Sequence, residues 1–391
     1  MARQPRVVYW VVFLDALLMF AIVPLLPGYV RDLHLSKTEA GLIVGIYSGA
    51  VLLGSIPAGN LAARVGARRL TIFGVALLAI ATFGCGFAGN FWLLMAARIG
   101  QGLSSAVSWT AGMAWLSEGT EPGSRGRVLG MAMSFATVGT LVGPVAGGLL
   151  GGAYGPRVPF TLLGCIALGL VVAVVRAPAG VAGVRPVGIG TLVRGVGASR
   201  GVITALVMMV LVAIVSGTLD TLVPLRLGSD GYSAAAITLV LSAAGVLATA
   251  ATYGTGRIFD RFGGIPIAIT SIVAMAAFVV ALAAARSGLQ LAVVFVAATL
   301  PITGQYAVAY PLCAEGADSA GLGHANVFGL LNVAWGSGFL IGPAAGAALA
   351  QATSDRITYL TLVVLSLAVA AALRPLALSH KECQSSRLNA G

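Results

Sequence analysis

The sequence predicts an all-α membrane protein with twelve transmembrane helices in two six-helix pseudo-repeats. Three observations lead there. Twelve apolar stretches fill nearly the whole chain, each long enough to cross a bilayer core of about 30 Å, which takes roughly 20 helical residues. Hydrophobic residues make up 58% of the 391 positions and charged residues 9%, with a mean hydropathy of +0.98; a soluble domain carries about 25% charged residues. Short motifs also recur at nearly one offset, close to half the chain length.

The spans, read between charged or Pro/Gly-rich breaks, run near 8–27, 39–62, 70–88, 91–116, 127–150 and 158–176. A second set lies near 202–224, 235–256, 265–285, 289–313, 326–350 and 357–374. The runs are continuous, without the polar residue at every second position that a membrane β-barrel needs. Glycine is abundant, at 53 residues, and small residues let membrane helices approach closely.

The net charge of +11 does not indicate nucleic-acid binding, because it is distributed by side. With the N-terminus inside, 16 of the 23 Lys and Arg fall in inside segments and six in outside ones, with Arg98 within a span. This asymmetry follows the positive-inside rule and places both termini in the cytoplasm of a multi-pass cell-membrane protein. Cys85, Cys165, Cys313 and Cys383 are far apart in sequence, so no metal or disulfide role is expected. His34, His324 and His380 do not form a metal cluster by spacing. No cofactor is expected, and no enzyme motif is present. Asp15 interrupts the first span and no small-residue cleavage site follows, so that span is expected to remain.

The repeat is visible in named residues. Gly59-Asn60-Leu61-Ala62-Ala63-Arg64-Val65-Gly66 returns 197 residues later as Gly256-Arg257-Ile258-Phe259-Asp260-Arg261-Phe262-Gly263. Ser117-Glu118-Gly119 returns as Ala314-Glu315-Gly316 at the same offset, and the run Gly139–Gly147 returns at Gly338–Gly346 after 199 residues. Pro27 and Pro224 are expected to close spans 1 and 7. The expected division is an N-terminal six-helix bundle at 1–176, a cytoplasmic linker at 177–201, a C-terminal bundle at 202–374 and a polar, disordered cytoplasmic tail at 375–391. Six plus six spans in parallel repeat is a transporter architecture with its site near the bilayer midplane.

These motifs resemble those of the major facilitator superfamily over the full length of the chain. Gly59, Leu61, Ala62, Arg64, Gly66 and Arg68 match its G-x-L-A-D-R-x-G-R-K signature, with Ala63 where the family has Asp. The second copy keeps the acid as Asp260, followed by Arg261. Arg98-Ile99-Gly100-Gln101-Gly102 is similar to R-x-x-Q-G of span 4, and Gly139 to Gly148 matches G-x-x-x-G-P-x-x-G-G of span 5. The resemblance at span 5 is to drug/proton antiporters. Asp15-Ala16-Leu17-Leu18 through Pro24 and Pro27 resembles the first span of vesicular amine transporters and their bacterial multidrug relatives. Where those amine transporters carry acids in spans 10 and 11, Tyr306 and Asn332 stand here.

A charge at the bilayer centre costs roughly 2.5–3.5 kcal/mol on insertion scales, so ionisable residues in spans face a bundle interior or a wet cavity. Asp15 can exchange a proton or partner a cation; a carboxylate fixed in a structural hydrogen bond is the alternative. Asp220, four residues before Pro224, is a second protonation site or outer gate, or a solvated residue near the membrane surface. Arg98, Gln101, Ser105 and Ser108 recur at helical spacing and form one polar stripe. The resemblance makes Arg98 a proton-coupling residue beside Asp15 and Asp220. Gln101, Ser105, Ser108, Gln305, Tyr306, Tyr310, Asn332 and Trp335 are candidate substrate-cavity residues, with ordinary packing as the alternative for the aromatic ones. Gly139, Gly143, Pro144, Gly147, Gly342 and Pro343 are expected to form a close-packed hinge, span 5 against 8 and span 11 against 2. Gly59, Arg64, Gly66, Arg68, Asp260 and Arg261 are expected to latch the cytoplasmic ends, with Ala63 removing one side of that latch.

The resulting expectation is proton-coupled export of small amphipathic organic compounds, such as drugs or antibiotics, by alternating access. The expected partners are a small-molecule substrate, protons and the lipid bilayer, with no nucleic acid and a single chain sufficing. A metabolite importer or uniporter of the same superfamily, and a non-transporting receptor or scaffold, are the alternatives.

Overall fold

The computed structural model describes residues 6–118, 120, 124–177, 199–262, 264–319 and 324–388. Among them are thirteen α-helices and no strand. The first half comprises α1 (Val7–Ala21), α2 (Leu26–Asp32), α3 (Lys37–Val65), α4 (Ala67–Gly86), α5 (Phe91–Glu118), α6 (Arg125–Tyr154) and α7 (Arg157–Arg176). The second comprises α8 (Arg200–Ser229), α9 (Ala234–Phe262), α10 (Gly264–Ala284), α11 (Gly288–Ser319), α12 (His324–Ala352) and α13 (Asp355–Leu388). A 3-10 turn, Val23–Leu25, joins α1 to α2 and makes them one span. Three helix starts recur at the offset of the sequence motifs: α3 begins at Lys37 and α9 at Ala234, α4 at Ala67 and α10 at Gly264, α5 at Phe91 and α11 at Gly288, each pair 197 residues apart.

Eleven helical segments are long and apolar enough to cross a membrane. The remaining expected span, α5, falls short because it carries Arg98, Gln101, Ser104, Ser105 and Ser108. That shortfall marks the helix on which the polar residues are gathered.

Local signals explain several boundaries. Ser36 caps α3: its hydroxyl accepts the Glu39 backbone N–H, and the Glu39 carboxylate accepts the Ser36 N–H at 2.8 Å. This reciprocal box satisfies two otherwise orphaned donors. Gly66 alone separates α3 from α4 and sits at φ 91°, a conformation a side chain would strain.

The structure corrects two expectations about ends. Pro27 does not close span 1 but lies in the first turn of α2, where its missing N–H has no intrahelical partner to lose. Pro224 lies inside α8, which continues to Ser229; membrane helices tolerate such breaks when neighbours satisfy the freed groups. The expected disordered tail is also drawn as helix, α13 running past Arg374 to Leu388. Leu376, Ala377, Leu378, Lys381 and Glu382 are all good helix formers. Most of the expected linker, 178–198, lies outside the described residues.

The chain groups into two compact units: Met1–Pro186 with Asp220–Ser242 and Pro343–Ala348, and Val187–Leu219 with Ala243–Gly342 and Leu349–Gly391. In the first, α1 packs along α6 and against α5, α3 and α4 flank α5, and α4 also packs on α7. Two apolar clusters meet on α1: Leu14, Leu17, Leu18 and Ile22 with Leu78 and Phe160, and Val8, Val12 and Ala16 with Trp115 and Leu116. Asp15 stands where they join. In the second unit, α10 packs on α11 and α13, as α4 does on α5 and α7.

Lipid tails are as apolar as leucine, so close backbone approach replaces the hydrophobic effect between membrane helices. The run Gly139–Gly147 shows how. A Cβ on Gly139, Gly143 or Gly147 of α6 would overlap the carbonyl oxygen of Phe13, Leu17 or Ala21 of α1. The second copy does the same: Gly338 and Gly342 of α12 lie on the Val210 and Ile214 carbonyls of α8. Three of the motif's four fixed glycines therefore press α6 onto α1. The approach expected between spans 5 and 8 falls to the next glycine, Gly148, which lies against Thr238 of α9 and Pro24. The Thr238 hydroxyl donates to the Pro144 carbonyl at 3.4 Å. Gly41 of α3 lies against the Pro343 carbonyl of α12, the expected meeting of spans 2 and 11.

Candidate functional site

The polar centre of the first unit is built on α1, α3, α4 and α5. Asp15 is 2% exposed. Its carboxylate accepts hydrogen bonds from Ser105 Oγ and Trp109 Nε1 of α5, both at 2.8 Å to Oδ2. Tyr47 Oη of α3 lies 3.1 Å from each carboxylate oxygen and donates to the pair. A hydrogen bond to a charged group contributes roughly 1.5–3 kcal/mol. Three such donors are of the size needed to hold a carboxylate in a bilayer.

Arg98 is 1% exposed. Its Nε donates to the Ile43 carbonyl at 3.2 Å and its Nη1 to Gln101 Oε1 at 2.9 Å. The guanidinium lies over the Tyr47 ring, 4.8 Å from the centroid, a cation–π contact whose strength rises when water is excluded. Among the described residues no ion pair joins Arg98 to Asp15. Tyr47 touches both: its hydroxyl meets the acid and its ring meets the base.

The expected polar stripe on α5 divides in two. At 3.6 residues per turn, Arg98, Ser105 and Trp109 share one azimuth, toward α1 and α3. Gln101, Ser104 and Ser108 lie further round, toward α4. Gln101 Nε2 donates to Thr82 Oγ1 at 3.3 Å and Ser104 Oγ to the Gly74 carbonyl at 2.7 Å. Ser108 is buried against Gly74 and its hydroxyl has no hydrogen-bond partner among the described residues. Gln101, Ser105 and Ser108 are therefore enclosed within the first unit. Tyr47 and Trp109, which sequence reasoning did not single out, complete the site. Trp109 was within reach of it: it stands one turn after Ser105 on the azimuth of Arg98. Tyr47 offers no such signal in its own helix.

Asp220 on α8 is partly exposed and has no hydrogen bond or ion pair among the described residues. The structure does not bring it into the Asp15 network.

In the second unit Tyr306 of α11 is the hub. Its hydroxyl accepts Trp335 Nε1–H of α12 at 3.2 Å and lies 3.2 Å from Ser216 Oγ of α8. Trp335 stacks on Phe339, with centroids 5.1 Å apart. Gln305 is buried with Nε2 3.0 Å from Met275 Sδ, and its Oε1 has no hydrogen-bond partner among the described residues. Tyr310 is half-buried and Asn332 exposed. The result is an aromatic face with polar tips, suited to amphipathic molecules.

At the α3–α4 turn, Arg68 donates to the Val175 carbonyl in the last turn of α7, where a cation complements the helix dipole. A Cβ on Gly59 would stand 3.8 Å from Thr110 Cγ2, and Arg64 is exposed. The side chains of Ala63, Asp260 and Arg261 lie outside the described residues. No group of three or more His, Cys, Asp or Glu is placed to hold a metal among the described residues.

Comparison with known proteins agrees with this architecture. The sequence profile of the Major Facilitator Superfamily matches residues 8–326. The tetracycline resistance protein, class C, of Escherichia coli is 31% identical over 301 residues, covering 72% of this chain and 74% of that protein. A probable vesicular acetylcholine transporter-B of Danio rerio is 35% identical over 164 residues, but the match covers 40% of this chain and only 33% of the relative. Among solved structures, a bacterial homolog of the human lysosomal transporter Spinster superposes with a TM-score of 0.79 at 17% identity, over 95% of this chain and 96% of that one. The nucleoside transporter NupG superposes with a TM-score of 0.76 at 12% identity, over 95% and 99%. With its helices and its motifs in agreement, this chain is a multi-pass membrane protein and belongs to the major facilitator superfamily.

Proposed function

We propose that this transporter exports small amphipathic organic compounds in exchange for protons, with Asp15 as the proton-carrying group. The observation that carries the reading is the enclosure of Asp15: a carboxylate 2% exposed, held by three uncharged donors, with no cation paired to it among the described residues. A structural ion pair would fix its charge. Neutral donors leave it able to gain and lose a proton. Burial also separates roles, because a bulky organic cation has no access to these oxygens. Gln101 and Ser105 are thus assigned to support of Asp15 and Arg98, and substrate contact to Tyr306, Tyr310, Asn332 and Trp335. Asp220, partly exposed and without an ion pair among the described residues, is proposed as a second protonation site.

Export is supported by the match to the tetracycline resistance protein over 74% of its length and by the span 5 motif. The reading includes two six-helix bundles, 1–176 and 202–374, joined by a cytoplasmic linker, with both termini cytoplasmic as the loop charges require. Alternating access then follows from movement of one repeat against the other. The test is accumulation of tetracycline, ethidium and a quinolone in proteoliposomes under an imposed pH gradient. Uptake driven by the gradient and abolished by a protonophore is the expected result. Accumulation indifferent to the gradient for every compound would overturn the reading.

A further inference from the structure

We infer that Tyr47 is a positioning residue that relays the protonation state of Asp15 to Arg98; this rests on the reading of Asp15 as the proton carrier. The geometry points to Tyr47, which among the described residues touches both groups. Asp15 Oδ2 already accepts from Ser105, Trp109 and Tyr47, whereas among the described residues Oδ1 accepts from Tyr47 alone. A proton arriving from water therefore lands on Oδ1. The new O–H needs an acceptor, and the oxygen facing it is Tyr47 Oη, 3.1 Å away.

A phenol hydroxyl both donates and accepts, so Tyr47 can turn its own proton elsewhere. The Ser105 hydroxyl interacts with it and can receive that proton's hydrogen bond. Ser105 keeps donating to Oδ2. The protonated state closes a ring, Asp15 Oδ1–H to Tyr47, Tyr47 to Ser105, Ser105 to Asp15 Oδ2, in which one proton has been added, no covalent bond has broken and every donor keeps an acceptor. Trp109 cannot play this part, because an indole N–H only donates. Reversal of its hydrogen bond rotates the Tyr47 O–H about its C–O bond and so changes the dipole on the ring over which Arg98 rests. Other titratable groups are few. Cys85 of α4 and Tyr29 of α2 face Arg98, and among the described residues α6 and α7 bring none to Asp15, Tyr47 or Arg98.

The experiment is an infrared pH titration of the purified protein in liposomes, without substrate. The carboxyl C=O band should appear as pH falls and vanish in Asp15→Asn, and a tyrosine C–O band should shift with the same midpoint in the wild-type protein. In Tyr47→Phe the tyrosine component should disappear. The carboxyl midpoint should rise by about one pH unit, because the ionised form loses a stronger hydrogen bond than the neutral form does. Restoring no hydroxyl but keeping the ring, this variant leaves the contact with Arg98 in place. A tyrosine band that ignores the carboxyl titration in the wild type, or an unmoved carboxyl midpoint in Tyr47→Phe, overturns the relay alone. A carboxyl band that survives Asp15→Asn overturns the reading of Asp15, and the relay with it.

Discussion

Gly143→Ala is the mildest change that tests how α6 is held on α1. In the structure a Cβ at Gly143 would stand 2.5 Å from the Leu17 carbonyl oxygen and 3.2 Å from the Phe20 Cβ. Ordinary contact begins near 3.4 Å, so α6 must back away from α1 by nearly 1 Å. Backbone is the obstacle, so no side-chain rotation relieves it. Overpacking of this kind costs roughly 1–3 kcal/mol, against a gain of up to about 1 kcal/mol for replacing a helical glycine by alanine. Gly130 lies on the same helix with nothing within 4 Å of its Cβ position, so Gly130→Ala isolates that gain. Reversible unfolding in mixed micelles should place Gly143→Ala about 1–2 kcal/mol below the wild type and Gly130→Ala at or above it. Equal stability of Gly143→Ala and wild type would refute the argument that backbone contact, rather than side-chain packing, joins these helices.

Other expectations follow from the two polar centres and the turn after α3. Asp15→Asn is nearly isosteric but cannot take up a proton; it should abolish uphill transport while downhill exchange of substrate and expression persist, as read by counterflow in proteoliposomes. Trp335→Phe removes the donor to Tyr306 and keeps the stacked ring, so substrate affinity should fall several-fold with little change in stability, measured by competition among tetracycline, ethidium and a quinolone. Ala63→Asp supplies the acid that the family motif has in the last turn of α3; by pairing with an arginine at the cytoplasmic ends, worth roughly 0.2–1 kcal/mol when exposed, it should shift the resting equilibrium toward outward-facing by a few-fold in cysteine-accessibility measurements there.

Much of the fold was legible because a bilayer imposes one rule on every span: length and apolarity must match its thickness. The 197-residue offset likewise needed no structure, since Gly66 and Gly263 or Glu118 and Glu315 recur by counting alone. Helix ends were less legible. Pro27 reads as a stop, yet a proline is equally at home in a first turn, and only the intervening 3-10 turn decides between the two. At the site, Asp15 and Arg98 stood out because charges inside spans are few. Tyr47 did not, because a tyrosine in an apolar run looks like packing until its hydroxyl is seen against a carboxylate from another helix. The same limit applies to the run Gly139–Gly147: the pattern announces a close approach, but which helix approaches depends on azimuth. A single stripe from Arg98 to Ser108 became two faces for that reason, with Ser105 toward Asp15 and Ser108 toward α4.

The central claim is that movement of substrate one way moves protons the other way through Asp15. The direct measurement loads proteoliposomes with tetracycline and a pH-sensitive dye, with no initial pH gradient, and dilutes them into substrate-free buffer. Substrate leaving down its gradient should draw protons in and acidify the lumen in the wild type, and leave it unchanged in Asp15→Asn. A lumen that does not acidify while tetracycline leaves through the wild-type protein, or one that acidifies equally in Asp15→Asn, would contradict the account.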